Sequence, residues 1–239
     1  GLSYQQDGVT AGAFVEAGWG SYDTYNSFSN AVNVHGDGND RYYGLGVLGR
    51  YDFTNGFYAD GSLRFGQNRN KFSSDDIRHI LTGEQARYNL KSNYVSAHLG
   101  GGYIVPLDEK NSLDLSGKYL WTRLGGKDAI IAEDQFHFDS INSHRVRFNG
   151  EWSHLYSKTL TLKAGLGYEH EFDSKAKATT YGTFDIDAPS VKGGTVLLSL
   201  GATIKPISNN QNLSFDFRAN GYAGKREGGN ITAKMNYAF

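Results

Sequence analysis

The chain has 239 residues and carries 24 basic and 25 acidic side chains, for a formal net charge of −1; this length suits one sizeable domain or a single barrel of roughly 200 to 250 residues. Near-balanced charge argues against a nucleic-acid binder, which concentrates basic residues, and the absence of cysteine removes disulfides, thiolate nucleophiles and Cys-based metal sites. No apolar run approaches the ~18 to 20 residues of a membrane helix, but a membrane β-barrel stays open, because its strands show only alternate residues to lipid.

Glycine (31), tyrosine (16) and phenylalanine (14) are abundant and proline (3) is scarce, a balance that favours strands. Two-residue alternation, one apolar face against one polar face, marks those strands. In chain order the readings are a fragment at Leu2 to Gln6, then strands near 11–22, 41–53, 57–67, 93–105, 113–122, 145–153, 159–172, 194–205, 213–220 and 231–239. At 113–122, Leu113, Leu115, Tyr119 and Trp121 oppose Asp114, Ser116, Lys118 and Thr122. At 145–153, Val146, Phe148 and Trp152 oppose Arg145, Arg147, Asn149, Glu151 and Ser153. Leu213, Phe215, Phe217 and Ala219 oppose Ser214, Asp216, Arg218 and Asn220, and the last segment sets Ile231, Ala233, Met235, Tyr237 and Phe239 against Thr232, Lys234 and Asn236.

The connections alternate in length. Short ones fall at Gln6-Asp7-Gly8, Thr54-Asn55-Gly56, 106–111, Ser157-Lys158 and 208–211; long polar ones fall at 29–40, 68–91, 124–142 and 174–192, with a shorter one at 225–229. Consecutive strands joined by hairpins form an antiparallel meander, and short turns at one end with long loops at the other suit an outer-membrane barrel. Pro106, Pro189 and Pro206 all fall in connections or at strand ends, where no ladder donor is lost.

The polar rows carry Glu16, Arg50, Asp52, Asp60, Arg64, Asp114, Lys118, Arg145, Arg147, Glu151, Lys163, Glu169, Glu171, Asp216, Arg218 and Lys234. With both signs equally represented, they suit either a solvated exterior or a hydrated lumen. The apolar rows decide, because near many strand ends they carry aromatics: Trp19, Tyr43, Tyr51, Phe53, Tyr103, Tyr119, Trp121, Trp152, Tyr156, Tyr168, Phe172, Tyr237 and Phe239. Such side chains favour the two lipid–water boundaries. The expected fold is therefore all-β, an antiparallel meander forming a transmembrane barrel with its charges toward the lumen.

The final strand, ending on Phe239 with Tyr237, Met235, Ala233 and Ile231 alternating behind it, resembles the β-signal by which Gram-negative outer-membrane proteins are recognised for assembly. The succession AGAFVEAGWGSYDTY (11–25), YYGLGVLGRYDFTNGFYADGSLRFG (42–66), YVSAHLGGGYIV (94–105), SLDLSGKYLWTRL (112–124), VRFNGEWSHLY (146–156), LTLKAGLGYEHEF (160–172) and everything from Gly194 onward resembles the translocator domain of monomeric autotransporters, the type V secretion family. The resemblance implies an outer-membrane barrel over residues 1–239 that exports and anchors its own N-terminal passenger. It implies as partners the barrel-assembly machinery, periplasmic chaperones, lipid and lipopolysaccharide, with a monomeric state and no nucleic acid. The family has twelve strands behind a pore helix; counted back from Phe239, the segment at 11–22 matches its third strand, so the first strand and the helix are expected to be missing here. A general porin or adhesin-type barrel, or an outer-membrane hydrolase, is the alternative.

Motifs that could carry chemistry are weak, and no residue is assigned to catalysis, a metal or a cofactor. Gly44, Gly46 and Gly49 match GxGxxG, but they lie within an expected strand rather than at a strand-to-helix turn. Ser153 and His154 are adjacent and so face opposite ways, as do His170 and its neighbours Glu169 and Glu171. Glu133, His137 and Asp139 share a long loop without fixed ligand spacing, and Asp37, Asn39 and Asp40 match only a fragment of a calcium loop. Some autotransporters cleave their passenger with a barrel acid and an Asn on the pore helix. Glu16 or Asp60 has the parity for the acid, but the resemblance supplies no Asn here.

Overall fold

The computed structural model describes every residue except 28–31, 183, 187–189, 207–211 and 238–239. Eleven strands form one antiparallel sheet: β1 (Leu2–Gln6), β2 (Val9–Asn26), β3 (Val34–Asp52), β4 (Phe57–Arg78), β5 (Gln85–Pro106), β6 (Asn111–Leu124), β9 (Ile141–Ser157), β10 (Leu160–Glu171), β13 (Gly193–Ile204), β14 (Leu213–Gly224) and β15 (Gly228–Tyr237). Each pairs with the next in that order, a meander without crossovers. Among the described residues β1 pairs only with β2 and β15 only with β14.

The short turns follow from local chemistry. Asp7 and Gly8 take positive φ (49° and 81°), the mirror-image hairpin turn that an Asp-Gly pair favours. Gly56 (φ 88°) closes the turn in which the Phe53 amide donates to the Phe57 carbonyl at 2.8 Å. Asp108 ties its turn by accepting from the amides of Lys110 and Asn111 at 2.7 and 2.8 Å. These hydrogen bonds favour the ionised carboxylate and hold its pKa below the usual range, the Lys110 amide contributing most among the favourable partners. The expected turn at 208–211, together with Pro189 and Phe239, lies outside the described residues.

The structure corrects the long connections. Residues 34–40 and 68–78 continue β3 and β4, and 85–92 open β5, so the loop expected at 68–91 shrinks to 79–84. Gln67, Asn68, Arg69, Asn70 and Lys71 are polar on both faces and carry no alternation. The ladder holds them regardless, with Arg69 Nε donating to Asn89 Oδ1 at 2.7 Å and the rings of Phe72 and Tyr88 stacked 5.3 Å apart. β4 and β5 have 22 residues each, about twice the ~9 to 11 that cross a bilayer. From Gln67 to Lys71 both faces carry polar side chains, so a period-two pattern has nothing there to record.

The connections at 124–142 and 174–192 likewise hold a second, four-stranded sheet: β7 (Lys127–Ile131), β8 (Asp134–Phe138), β11 (Ala178–Thr180) and β12 (Phe184–Ile186), in the order β12-β11-β8-β7. The β7–β8 hairpin turns on Ala132 and Glu133, both at positive φ (48° and 70°), with no glycine to announce it. Ile131 on β7 and Ala178 on β11 are buried, and Phe138 approaches Tyr88 of β5 at 5.8 Å.

Candidate functional site

The main sheet is inside out relative to a soluble protein. The largest fully buried side chain is Glu169, 2% exposed, while Trp19, Val15, Leu200 and Ile231 are 83%, 73%, 68% and 84% exposed. Apolar rows exposed along strand after strand are tolerable only against lipid, where alternate strand residues face the acyl chains.

The opposite face is a lattice of paired charges. In the first half, Glu16 lies 3.6 Å from Arg64 Nη1 and accepts from Tyr94 Oη at 2.6 Å. Asp60 Oδ2 lies 2.5 Å from Lys118 Nζ and 2.9 Å from His98 Nε2, and His98 Nδ1 is 2.6 Å from Ser62 Oγ. Tyr58 donates to Asp114 at 2.9 Å, and Arg50, paired with Asp52 at 2.6 Å, lies over the Tyr58 ring at 3.7 Å.

In the second half, Glu169 gathers Arg147, Arg226 and Arg145 at 2.6, 3.0 and 3.5 Å. Glu171 takes Arg145 at 3.5 Å and the Ser143 hydroxyl at 2.5 Å. Lys163 pairs with Asp216 at 2.9 Å, and Arg218 with Glu151 at 2.8 Å. Lys234 stands opposite Asp216 on β15 and makes no ion pair among the described residues.

Two of these contacts fix the curvature. Glu16 on β2 meets Tyr94 on β5, and Glu151 on β9 meets Arg218 on β14, each three strands along the order. A flat sheet would hold those backbones ~14 Å apart, so the contacts require the sheet to curl with this face inward. Glycine makes room for the reach: a Cβ on Gly44 would collide with the Tyr94 hydroxyl, and one on Gly102 would meet the Tyr58 ring at 2.5 Å. The GxGxxG glycines thus lie inside β3, and Gly44 serves the packing of a tyrosine.

Every expected lumen residue lies in these strands, and all but Lys234 are brought into pairs. Tyr58, Tyr94, Ser62, His98 and Arg226 were not among the expected site residues. Parity was the available signal for the first four, since Tyr58 and Ser62 alternate with Asp60 and Arg64. Among the described residues Ile231, Ala233, Met235 and Tyr237 lie along β15, with Ile231 and Met235 84% and 67% exposed.

The hydrolase and metal candidates disperse. His154 faces Asn111, 2.9 Å from its Oδ1, and stacks on Trp152, while His170 lies between Tyr168 and Phe172 on the outward face. His137 stands on β8 rather than in a loop, 2.5 Å from Asp128, and Glu133 lies near His79 instead. Asp37, Asn39 and Asp40 are regular β3 residues paired with β4. Among the described residues no group of three His, Cys, Asp or Glu could hold a metal. Ser62, His98 and Asp60 form a hydrogen-bonded chain, yet their strand amides are committed to ladders on both sides and offer no oxyanion donors.

An apolar exterior, an inward face of compensating charge and an antiparallel meander together define an outer-membrane β-barrel. The family profile described as autotransporter beta-domain matches residues 1–228, and the chain belongs to that family. It is thus an outer-membrane translocator serving a linked passenger. Two similar solved structures are the β domain of the Bordetella autotransporter BrkA (14% identity, TM-score 0.60, 97% of this chain and 92% of that one) and the translocator domain of NalP from Neisseria meningitidis (14%, 0.62, 99% and 84%). The Pseudomonas putida toluene transporter TodX is also similar (12%, 0.57, 99% and 72%); at such identities these likenesses speak for the fold alone. No curated protein sequence matches the chain.

Proposed function

We propose that residues 1–239 act as one translocator unit whose paired inner charges line a wet passage for the passenger. The observation that carries this is the neutralisation of the inner face. Arg64, Lys118, Lys163, Arg147 and Arg218 each have a carboxylate within 3.6 Å. An unfolded polypeptide of either charge then meets no unbalanced field that would hold it.

In this reading the short turns and the C-terminus face the periplasm, and the second sheet stands outside the cell. Periplasmic chaperones deliver the chain, and the barrel-assembly machinery captures its last strand through Ile231, Ala233, Met235, Tyr237 and Phe239. Strand addition supplies the affinity and alternate side chains the specificity. Lipid and lipopolysaccharide cover the outward rows, the barrel is a monomer, and it performs no chemistry of its own.

The test is export from cells making the full-length protein. External protease should digest the passenger when the barrel is intact and spare it when β15 is deleted. Equal digestion in both would overturn the proposal.

A further inference from the structure

Phe172, just past β10, continues the outward row of Tyr168 and His170, its ring 4.8 Å from that of His170. It is half exposed, and its amide still bonds the His144 carbonyl at 2.9 Å, so it stands where the lipid-facing row meets the second sheet. Beside it opens a cavity of about 530 Å³ lined by Phe172, Asn142, His137, Lys175, Lys177 and Lys192.

The backbones carrying the lysines are fixed. Lys175 bridges to Ser190, the Lys192 amide donates to Ser190 Oγ at 3.2 Å, and the Lys177 carbonyl accepts from the Asp139 amide at 3.0 Å. Among the described residues no carboxylate lies within ion-pair distance of the three ammonium groups, all on exposed residues. Asp139 and Asp173 also line the cavity, but Asp139 lies 3.5 Å from His137 Nε2, and three lysines still outnumber two carboxylates. Cations beside an aromatic at the membrane boundary meet headgroups rather than acyl chains. Lysine is a strong point-charge partner for phosphate.

We infer that this cavity binds the phosphate of an anionic glycolipid in the outer leaflet, the lipid's acyl chains lying along the outward row beneath Phe172. The inference rests on the proposed orientation. Binding to purified protein does not depend on orientation, so the two can fail separately.

The test is native mass spectrometry of the full-length protein in non-ionic detergent, titrated with bisphosphorylated lipid A, with the same lipid stripped of phosphate, and with inorganic phosphate. Wild type should prefer the phosphorylated lipid by about tenfold or more, since three lysines face one charged headgroup. Lys175→Gln, Lys177→Gln and Lys192→Gln together should erase that preference, and Lys158→Gln, at a β9–β10 turn on the other end, should leave it intact. Equal binding of the two lipids by wild type overturns the site without reliance on any variant. Displacement of the lipid by equimolar inorganic phosphate would make it a free-anion site and overturn the lipid assignment.

Discussion

Arg147 Nη2 lies 2.6 Å from Glu169 Oε2 across the β9–β10 ladder, and Glu169, 2% exposed, also takes Arg226 at 3.0 Å and Arg145 at 3.5 Å. Three guanidinium groups thus depend on one buried carboxylate. Arg145 keeps Glu171 at 3.5 Å, but Glu169→Gln strips Arg147 and Arg226 of their carboxylate, and removing one partner of a buried pair costs about 3 to 5 kcal/mol. Lys234→Gln removes a cation that makes no ion pair among the described residues. On semi-native gels the folded, heat-modifiable form of the Glu169→Gln variant should convert at a clearly lower temperature than wild type, and that of Lys234→Gln at an unchanged one. Identical melting of all three would count against the lattice as a source of stability.

A second prediction concerns topology. An epitope inserted between Ala132 and Glu133, the two-residue turn of the β7–β8 hairpin, leaves every ladder bond in place, as does one at Asn55. Antibody added to intact cells should label the first and miss the second; the reverse pattern would invert the proposed orientation.

How far these elements were legible depended on what lay on each side of the strand. Where one face meets lipid and the other a charged lumen, as at Phe215, Asp216, Phe217 and Arg218, alternation gave the strands, their faces and their order. Where both faces are polar, as at Gln67 to Lys71, no alternation marks the strand and the extension reads as loop. The second sheet left no trace either, because its hairpin turns on Ala132 and Glu133 rather than on a glycine. Pairing was invisible for another reason: the Arg218–Glu151 contact depends on curvature, which a pattern along one strand does not encode.

A third prediction addresses the last strand. β15 is an edge among the described residues, with Ile231 and Met235 largely exposed on its outward row. If that row is read by the assembly machinery, deleting Phe239 or changing Tyr237→Ser should lower the outer-membrane level of the full-length protein several-fold. Asn236→Ser, on the opposite row, should do much less. Quantitative immunoblots of outer-membrane fractions decide it, and normal assembly without Phe239 would reduce the terminal aromatic to a boundary residue.

A fourth follows from the second sheet. The hydrogen bond to Asp128 on β7 raises the pKa of His137; desolvation opposes it, and the charges of Asp128 and Asp139 add smaller contributions upward. A group whose folded pKa is raised contributes stability that is fully present below its unfolded value, near 6.5, and lost as pH rises through the folded one. Hydrogen exchange in the β7–β8 hairpin, corrected for intrinsic rates, should therefore be slower at pH 6 than at pH 8. His137→Gln should abolish that difference, and its persistence in the variant would assign it to another group.

The most direct measurement concerns the two faces of β14. These 239 residues have no cysteine, so once any cysteine elsewhere in the full-length protein is changed to serine, single substitutions to Cys at Phe215, Asp216, Phe217, Arg218, Ala219 and Asn220 each take one spin label. Phe217 is 44% exposed on the outward row, whereas Asp216 and Arg218 are paired with Lys163 and Glu151. In reconstituted bilayers, labels at 215, 217 and 219 should relax with lipid-soluble oxygen, and those at 216, 218 and 220 with a water-soluble nickel chelate, in strict alternation. A charge on the lipid row costs ~2 to 4 kcal/mol at the midplane, so Phe217→Arg should also impair assembly where Asp216→Asn does not. Alternation of the opposite phase, or none, would contradict a charged inner face turned away from lipid.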